Sequence, residues 1–153
     1  MIEPKYKQIK PSDVYISTLQ DADNGSYNVY AAMEWIEIRP TGNEFVDMFA
    51  KHVHKYKNRT AKQHAQLMGI EKRLHTPAII ALTGMGPHEW VREYLRMASC
   101  ELLRKTKLSI SDVAKIVGFN AVSPFSQFFY RCQKCLPYEW RHNTGYHFSK
   151  HRS

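Results

Sequence analysis

Ser109-Ile110-Ser111-Asp112-Val113-Ala114-Lys115-Ile116-Val117-Gly118 repeats the plan of Thr60-Ala61-Lys62-Gln63-His64-Ala65-Gln66-Leu67-Met68-Gly69, 49 positions earlier. Thr60, Ala65 and Gly69 recur as Ser109, Ala114 and Gly118. Pro87, Glu89 and Trp90 recur as Pro137, Glu139 and Trp140, now 50 positions on, so one residue is inserted between Gly118 and Pro137. A period of this length marks two copies of one supersecondary unit. Its residues are those of a helix-turn-helix: the small Ala lets a second helix pack closely, and the Gly four residues later takes a positive-φ turn.

Each copy opens on a helix start. In Thr60-Ala61-Lys62-Gln63 the hydroxyl can accept from the third amide while Gln63 reaches back to the Thr amide; Ser109-Ile110-Ser111-Asp112 is its counterpart with a shorter acid. The short helices should end at Gly69 and Gly118, after which Ile70 and Phe119 drop into the core. Between the copies Gly86 and Pro87 open a long helix to Lys105, with Trp90, Tyr94, Met97, Leu102 and Leu103 as its buried stripe. Gly84-Met85-Gly86 reads as a helix end followed by an N-cap.

Past Gly118, Ser123 caps a helix with Pro124 at its first position and Phe125, Phe128, Phe129 and Cys132 facing inward. Pro137 starts a last short helix carrying Trp140. Upstream, Phe45, Phe49 and Val53, with Met48 and His52 beside them, give a helix ending near Tyr56. The fold class is therefore all-α: two helix-turn-helix subdomains joined by a long linker helix. Residues 1–43 form a short irregular N-terminal arm, with a loop at Asp21-Ala22-Asp23-Asn24-Gly25 and a strand at Trp35-Ile36-Glu37-Ile38-Arg39. The arm is too short for a sensor domain. The domain itself covers residues 44–142, comprising a first helix-turn-helix at 44–84, the linker helix at 87–105 and a second helix-turn-helix at 106–142. A loose basic tail follows at 143–153.

Charge is distributed along the same axis. The chain of 153 residues carries a net +8. Acidic residues outnumber basic ones six to four in residues 1–43, basic ones lead eight to five in 44–95, and they lead ten to three in 96–153. A positive field rising along the repeats suits a polyanionic partner, although charge alone fits a solvated face or an acidic lipid surface equally well. No run of roughly 18 apolar residues marks a membrane span, and the polar stretch Met1 to Pro11 has no leader-like apolar core. Three cysteines make no disulfide framework, which points to reduced thiols and a cytoplasmic protein.

The run Leu102-Leu103-Arg104-Lys105-Thr106-Lys107-Leu108-Ser109-Ile110-Ser111-Asp112-Val113-Ala114, followed by Val117-Gly118-Phe119, Ser123, Phe125-Ser126, Phe129, Pro137 and Trp140-Arg141, resembles the C-terminal signature of the AraC/XylS family of bacterial transcription regulators. A weaker match reaches back to Phe45. The resemblance implies a seven-helix domain whose two recognition helices enter successive major grooves of double-stranded DNA, with RNA polymerase as a further partner, no cofactor and no catalysis. Departures are Pro124, Gln127 where the family usually has Arg, and Lys134 and Leu136 where it has Gly and Thr. In the first copy Pro77 interrupts the expected recognition helix Glu71 to Thr83, and either kinks it or leaves Thr76 to cap a shorter one.

Only the first turns and the exposed face of such a helix reach base edges. In the second copy those are Val122, against a thymine methyl, with Ser123 and Gln127, whose amide can pair with adenine. In the first they are Glu71, Lys72, Arg73 and Thr76, with Arg73 the best base reader. The helix starts at Thr60 and Ser109, helped by Lys62 and Lys107, suit phosphate, as does Arg131.

Three other readings compete. Cys132-x2-Cys135 with His147-x3-His151 approximates zinc-finger spacing, but Glu139 stands where a finger needs an apolar residue, so a buried Cys132 and a partly exposed Cys135 are the simpler reading. The histidines have no nucleophile or carboxylate at a telling spacing, which speaks against an enzyme. A protein-interaction module that keeps the fold but has lost specific DNA reading is the alternative that Pro77 and Pro124 motivate.

Overall fold

A computed structural model describes residues 8–15, 20–21, 27–28 and 40–144. Its helices are α1 (Pro11–Val14), α2 (Glu44–Tyr56), α3 (Ala61–Leu67), α4 (Lys72–Thr83), α5 (Pro87–Lys105), α6 (Ile110–Ile116), α7 (Val122–Gln133) and α8 (Pro137–Thr144). The fold is all-helical; among the described residues the one extended pairing is a pair of two-residue strands, β1 (Gln20–Asp21) and β2 (Tyr27–Asn28), antiparallel. Asp21, expected in a loop, is thus paired with Tyr27. The strand expected at residues 35–39 lies outside the described residues, as do 145–153, while Asn143 and Thr144 complete α8 instead of starting a tail.

The repeat is visible in the helices. Both α3 and α6 have seven residues, and both α4 and α7 have twelve. The inserted residue therefore lies in the turn between Gly118 and Val122. Both turn glycines take positive φ, Gly69 at 73° and Gly118 at 94°. Thr60 and Gln63 exchange both bonds of the capping box, 2.9 and 3.1 Å. Ser109 makes only half of it, accepting from the Asp112 amide at 3.0 Å.

Linker helix α5 packs against α1, α4, α6, α7 and α8. Trp90, Val91, Tyr94, Leu95, Ala98, Leu102 and Leu103 are buried on it, whereas Met97 is half-exposed. In the first unit Trp90 and Phe49 meet at 5.0 Å between ring centres. In the second, Phe125 and Phe129 are fully buried, and half-buried Phe119 packs on Phe125 and Phe128. Half-buried Trp140 leans on Phe129 and donates from Nε1 to the Cys100 carbonyl at 3.2 Å. In α2 the buried stripe is Val46, Phe49, Ala50, Val53 and His54; Met48 faces solvent and Phe45 and His52 lie at the edge. Phe49 and Val53 are buried as expected, and Val46, Ala50 and His54 complete the stripe in place of Phe45, which lies at its edge.

Residues 8–15 dock on this core. Val14 is buried, Trp90 Nε1 donates to the Ile9 carbonyl at 3.3 Å, and the Tyr15 hydroxyl donates to Glu101 at 2.7 Å. At least this part of the arm belongs to the folded body.

Two local expectations are corrected, and one departure from the family pattern shows its cost. Helix α4 runs through Pro77 without stopping, and Thr76 caps nothing. The proline removes one amide hydrogen from the ladder and leaves the Arg73 carbonyl without its i+4 donor, a cost that tertiary packing of buried Ile79 and His75 offsets. Helix α7 begins two residues earlier than expected, with Ala121 as N-cap and Ser123 inside the first turn; Pro124 remains harmless there because the first four amides have no intrahelical acceptor. Finally, Lys134 closes α7 at φ 64° and ψ 22°, in the left-handed region that Gly84 occupies at the end of α4. A left-handed L-residue costs roughly 1–2 kcal/mol, partly offset in a glycine variant by the greater freedom of its unfolded chain. Lys134→Gly is therefore expected to stabilise the protein by about 0.5–1 kcal/mol, read as a higher urea midpoint at unchanged m-value.

Candidate nucleic-acid interface

Helix α7 buries Phe125, Phe128 and Phe129, and this turns Val122, Ser123, Gln127, Tyr130 and Arg131 to solvent. A shallow groove lined by Ser123, Ser126, Gln127, Tyr130, Arg131 and Leu136 runs along this face. It offers an amide, hydroxyls, a cation and a flat ring side by side, the mixture that base edges and phosphates call for. Tyr130, 53% exposed, and Leu136 are functional candidates that the sequence alone does not single out. The spacing 123, 127, 130 places Tyr130 on the same helical face, a signal obscured because aromatic residues in this segment read collectively as core.

The first unit has a second groove, lined by Lys62, Gln66, Gly69, Ile70, Glu71 and Lys72. It brings the phosphate candidate Lys62 beside the base candidate Lys72. Arg73 is exposed and pairs with Glu71, Nε to Oε2 at 3.0 Å. So exposed a pair contributes about 0–1 kcal/mol and yields readily to a better anion. Thr76 differs from its expected role: its hydroxyl is enclosed and has no hydrogen-bond partner among the described residues, so it is not presented to a groove.

The hydroxyls of Thr60 and Ser109 accept helix amides, which leaves their hydrogens to donate. Together with exposed Lys107 they lie outside both grooves. Aligning α4 with α7 sets Lys72 opposite Val122, Arg73 opposite Ser123 and Pro77 opposite Gln127. Where the second helix holds an exposed amide, the first holds a ring with no polar group at all.

Part of the positive charge serves the interior. Lys57 is buried and donates from Nζ to the His54 carbonyl, and burial lowers its pKa to about 8. Arg141 Nε donates to the Leu103 carbonyl at 2.9 Å, and Arg96 is held by both oxygens of Glu93 at 2.8 Å. The exposed cations that remain near the grooves are Lys62, Lys72, Arg73 and Arg131.

Cys100, Cys132 and Cys135 are free thiols, each half-buried. Cys132 is thus less enclosed than expected, and takes a contact from Arg92 Nη2 at 3.7 Å. His147 and His151 lie outside the described residues, among which no three His, Cys, Asp or Glu are placed to share a metal. No helix among the described residues is long and apolar enough to cross a membrane.

Two helix-turn-helix units on one linker helix define a tandem helix-turn-helix domain. Residues 64–143 match the family described as helix-turn-helix domain, and the chain belongs to that family in its AraC/XylS form, a family of DNA-binding transcription regulators. No curated protein sequence matches significantly. Among solved structures the chain is similar to the C-terminal domain of AraT, a response regulator from Geobacillus stearothermophilus, with TM-score 0.61 and 17% identity over 67% of this chain and 86% of that one. It is similar also to the DNA-binding domain of the global transcriptional factor AdpA in complex with a target DNA, at TM-score 0.60 and 18% identity over 73% and 100%. The C-terminal domain of the two-component response regulator yesN from Fusobacterium nucleatum gives 0.59 and 16% over 65% and 99%. At these identities the likeness is one of fold.

Proposed function

We propose that the chain is a sequence-specific, non-catalytic transcription regulator of the cytoplasm, whose α4 and α7 enter successive major grooves on one face of double-stranded DNA. The observation that carries this reading is the polar outer face of α7, set against an inner face made wholly of buried phenylalanines. Gln127 and Ser123 read base edges, Val122 contacts a thymine methyl, and Arg131 meets phosphate. In the first unit Lys72 and Arg73 face the bases and Lys62 the backbone. With Pro77 in the place of Gln127, the first helix has no base-reading group at that position and relies on Lys72 and on Arg73, which Glu71 holds, so the second half-site is the more stringent.

The two kinds of contact separate in solution. Gln127→Ala is expected to lose about 1–3 kcal/mol on one base pair of a preferred sequence and little on scrambled DNA. Lys62→Ala should weaken both DNAs alike and lower the salt slope by about 1. Anisotropy titrations of both variants at two salt concentrations check this, and equal losses on both DNAs for Gln127→Ala contradict the base-reading role.

A further inference from the structure

The two units differ most where they should be most alike, in their cores. His54, His64 and His75 are 1%, 0% and 0% exposed in the first unit. At the repeat offsets of 49 and 50 their counterparts in the second are Leu103, Val113 and Phe125, each 0% exposed. An apolar helix-turn-helix core has thus been rebuilt with imidazoles in one copy only.

Geometry fixes the protonation state of two of these rings. His64 Nε2 lies 3.0 Å from the Lys57 carbonyl, which can only accept, so Nε2 carries the hydrogen. His75 Nε2 lies 3.2 Å from the Met68 thioether sulfur, again an acceptor, and must likewise hold its hydrogen. The proton-accepting atom of each ring is therefore Nδ1. Both Nδ1 atoms are sealed from solvent without a hydrogen-bond partner among the described residues. Around them stand Phe49, edge-on to both rings, and Phe45 beside His75. The charges bearing on His64 come from His52 on α2, Arg59 in the following turn and His75 on α4, and all disfavour a proton. A second proton on either ring would bury a cation whose new N–H has no acceptor, the arrangement a protein interior tolerates least.

We propose that the first helix-turn-helix is an acid-labile element: protonation of His64 and His75 opens its core while the phenylalanine core of the second stays closed, so mild acid changes the protein from a two-groove to a one-groove reader. The opening is a property of the core alone; its consequence for DNA rests on the function proposed above. Burial lowers the pKa of both rings, that of His64 to about 4 from an ordinary 6.5. The folded state then binds fewer protons than the unfolded chain below pH 6.5. Stability is full above that pH and is lost as pH falls towards 4.

Hydrogen exchange on the full chain, without DNA and normalised to intrinsic rates, tests the opening itself. Between pH 7.5 and pH 5, protection in α3 and α4 should fall about 30-fold on account of His64 alone, the ratio its two pKa values set, while α6 and α7 change little. In His64→Val, the residue the second unit uses, that drop should shrink to the share left to His75. An equal fall in both units, no fall in either, or an unchanged drop in His64→Val would overturn the proposal. Because the two units are compared within one wild-type molecule, the test remains decisive even if the variant fails to fold, and failure to bind DNA does not enter it.

Discussion

Trp90→Ala is expected to destabilise the protein by about 3–5 kcal/mol, enough to leave a domain of ordinary stability marginal. Trp90 is fully buried, on the face of α5 turned to the first unit. It stacks on Tyr94 at 5.8 Å, tilts against Phe49 at 5.0 Å, and holds the N-terminal segment through the Ile9 carbonyl. Truncation removes the largest side chain of the first core, opens a cavity beside Phe49, and deprives Ile9 of its donor. Trp140→Ala, at the equivalent place in the second copy, should cost clearly less because that ring is half-exposed. Urea melts of the two variants check both the magnitude and the order, and equal losses would mean that Trp90 is not the anchor described.

The second large effect is expected at Gly118. Its φ of 94° lies in a region that side-chain-bearing residues rarely adopt, and a Cβ there would stand 2.8 Å from the Asn58 backbone nitrogen and 3.0 Å from Asn58 Cβ. Gly69, its counterpart, has φ 73° and nothing within 4 Å of the same Cβ position. Both alanine variants bear the left-handed strain of roughly 1–2 kcal/mol, but only Gly118→Ala must also move the backbone turn after α2, at a further cost of about 1–3 kcal/mol. Gly118→Ala should therefore melt well below Gly69→Ala. The comparison also probes how the units meet, since the turn at Lys57 and Asn58 is where the first unit touches the second. Equal midpoints for the two variants would deny that contact.

Much of the architecture was legible because its signals are local and repeated. Thr60 with Gln63, the paired turn glycines and the Gly86-Pro87 helix start each specify a backbone feature with few alternatives. The register errors came from tertiary effects. Propensity cannot tell that α7 starts at Val122 instead of after Ser123, because any of the first four amides accommodates a proline. Nor can it tell that Pro77 stays inside a helix, because flanking burial of His75 and Ile79 outweighs one missing bond. At Lys134 no glycine announces a left-handed turn, yet the end of α7 places the residue at positive φ. Residue type alone gives the buried histidines no role, since no chemistry stands beside them; setting the copies side by side at the right offset exposes their apolar counterparts. On the interface, exposure picked out Tyr130 and withdrew Thr76, neither of which residue type alone could do.

Whether two recognition helices read sequence is decided by selecting bound duplexes from a random library, then titrating the selected site and a scrambled control by anisotropy at two salt concentrations. A stringent half-site with a weaker one about one helical turn away, bound ~10³-fold or more over the control, is the expected result. Absence of any enriched sequence, with both duplexes bound alike and lost together as salt rises, would contradict sequence reading by either helix.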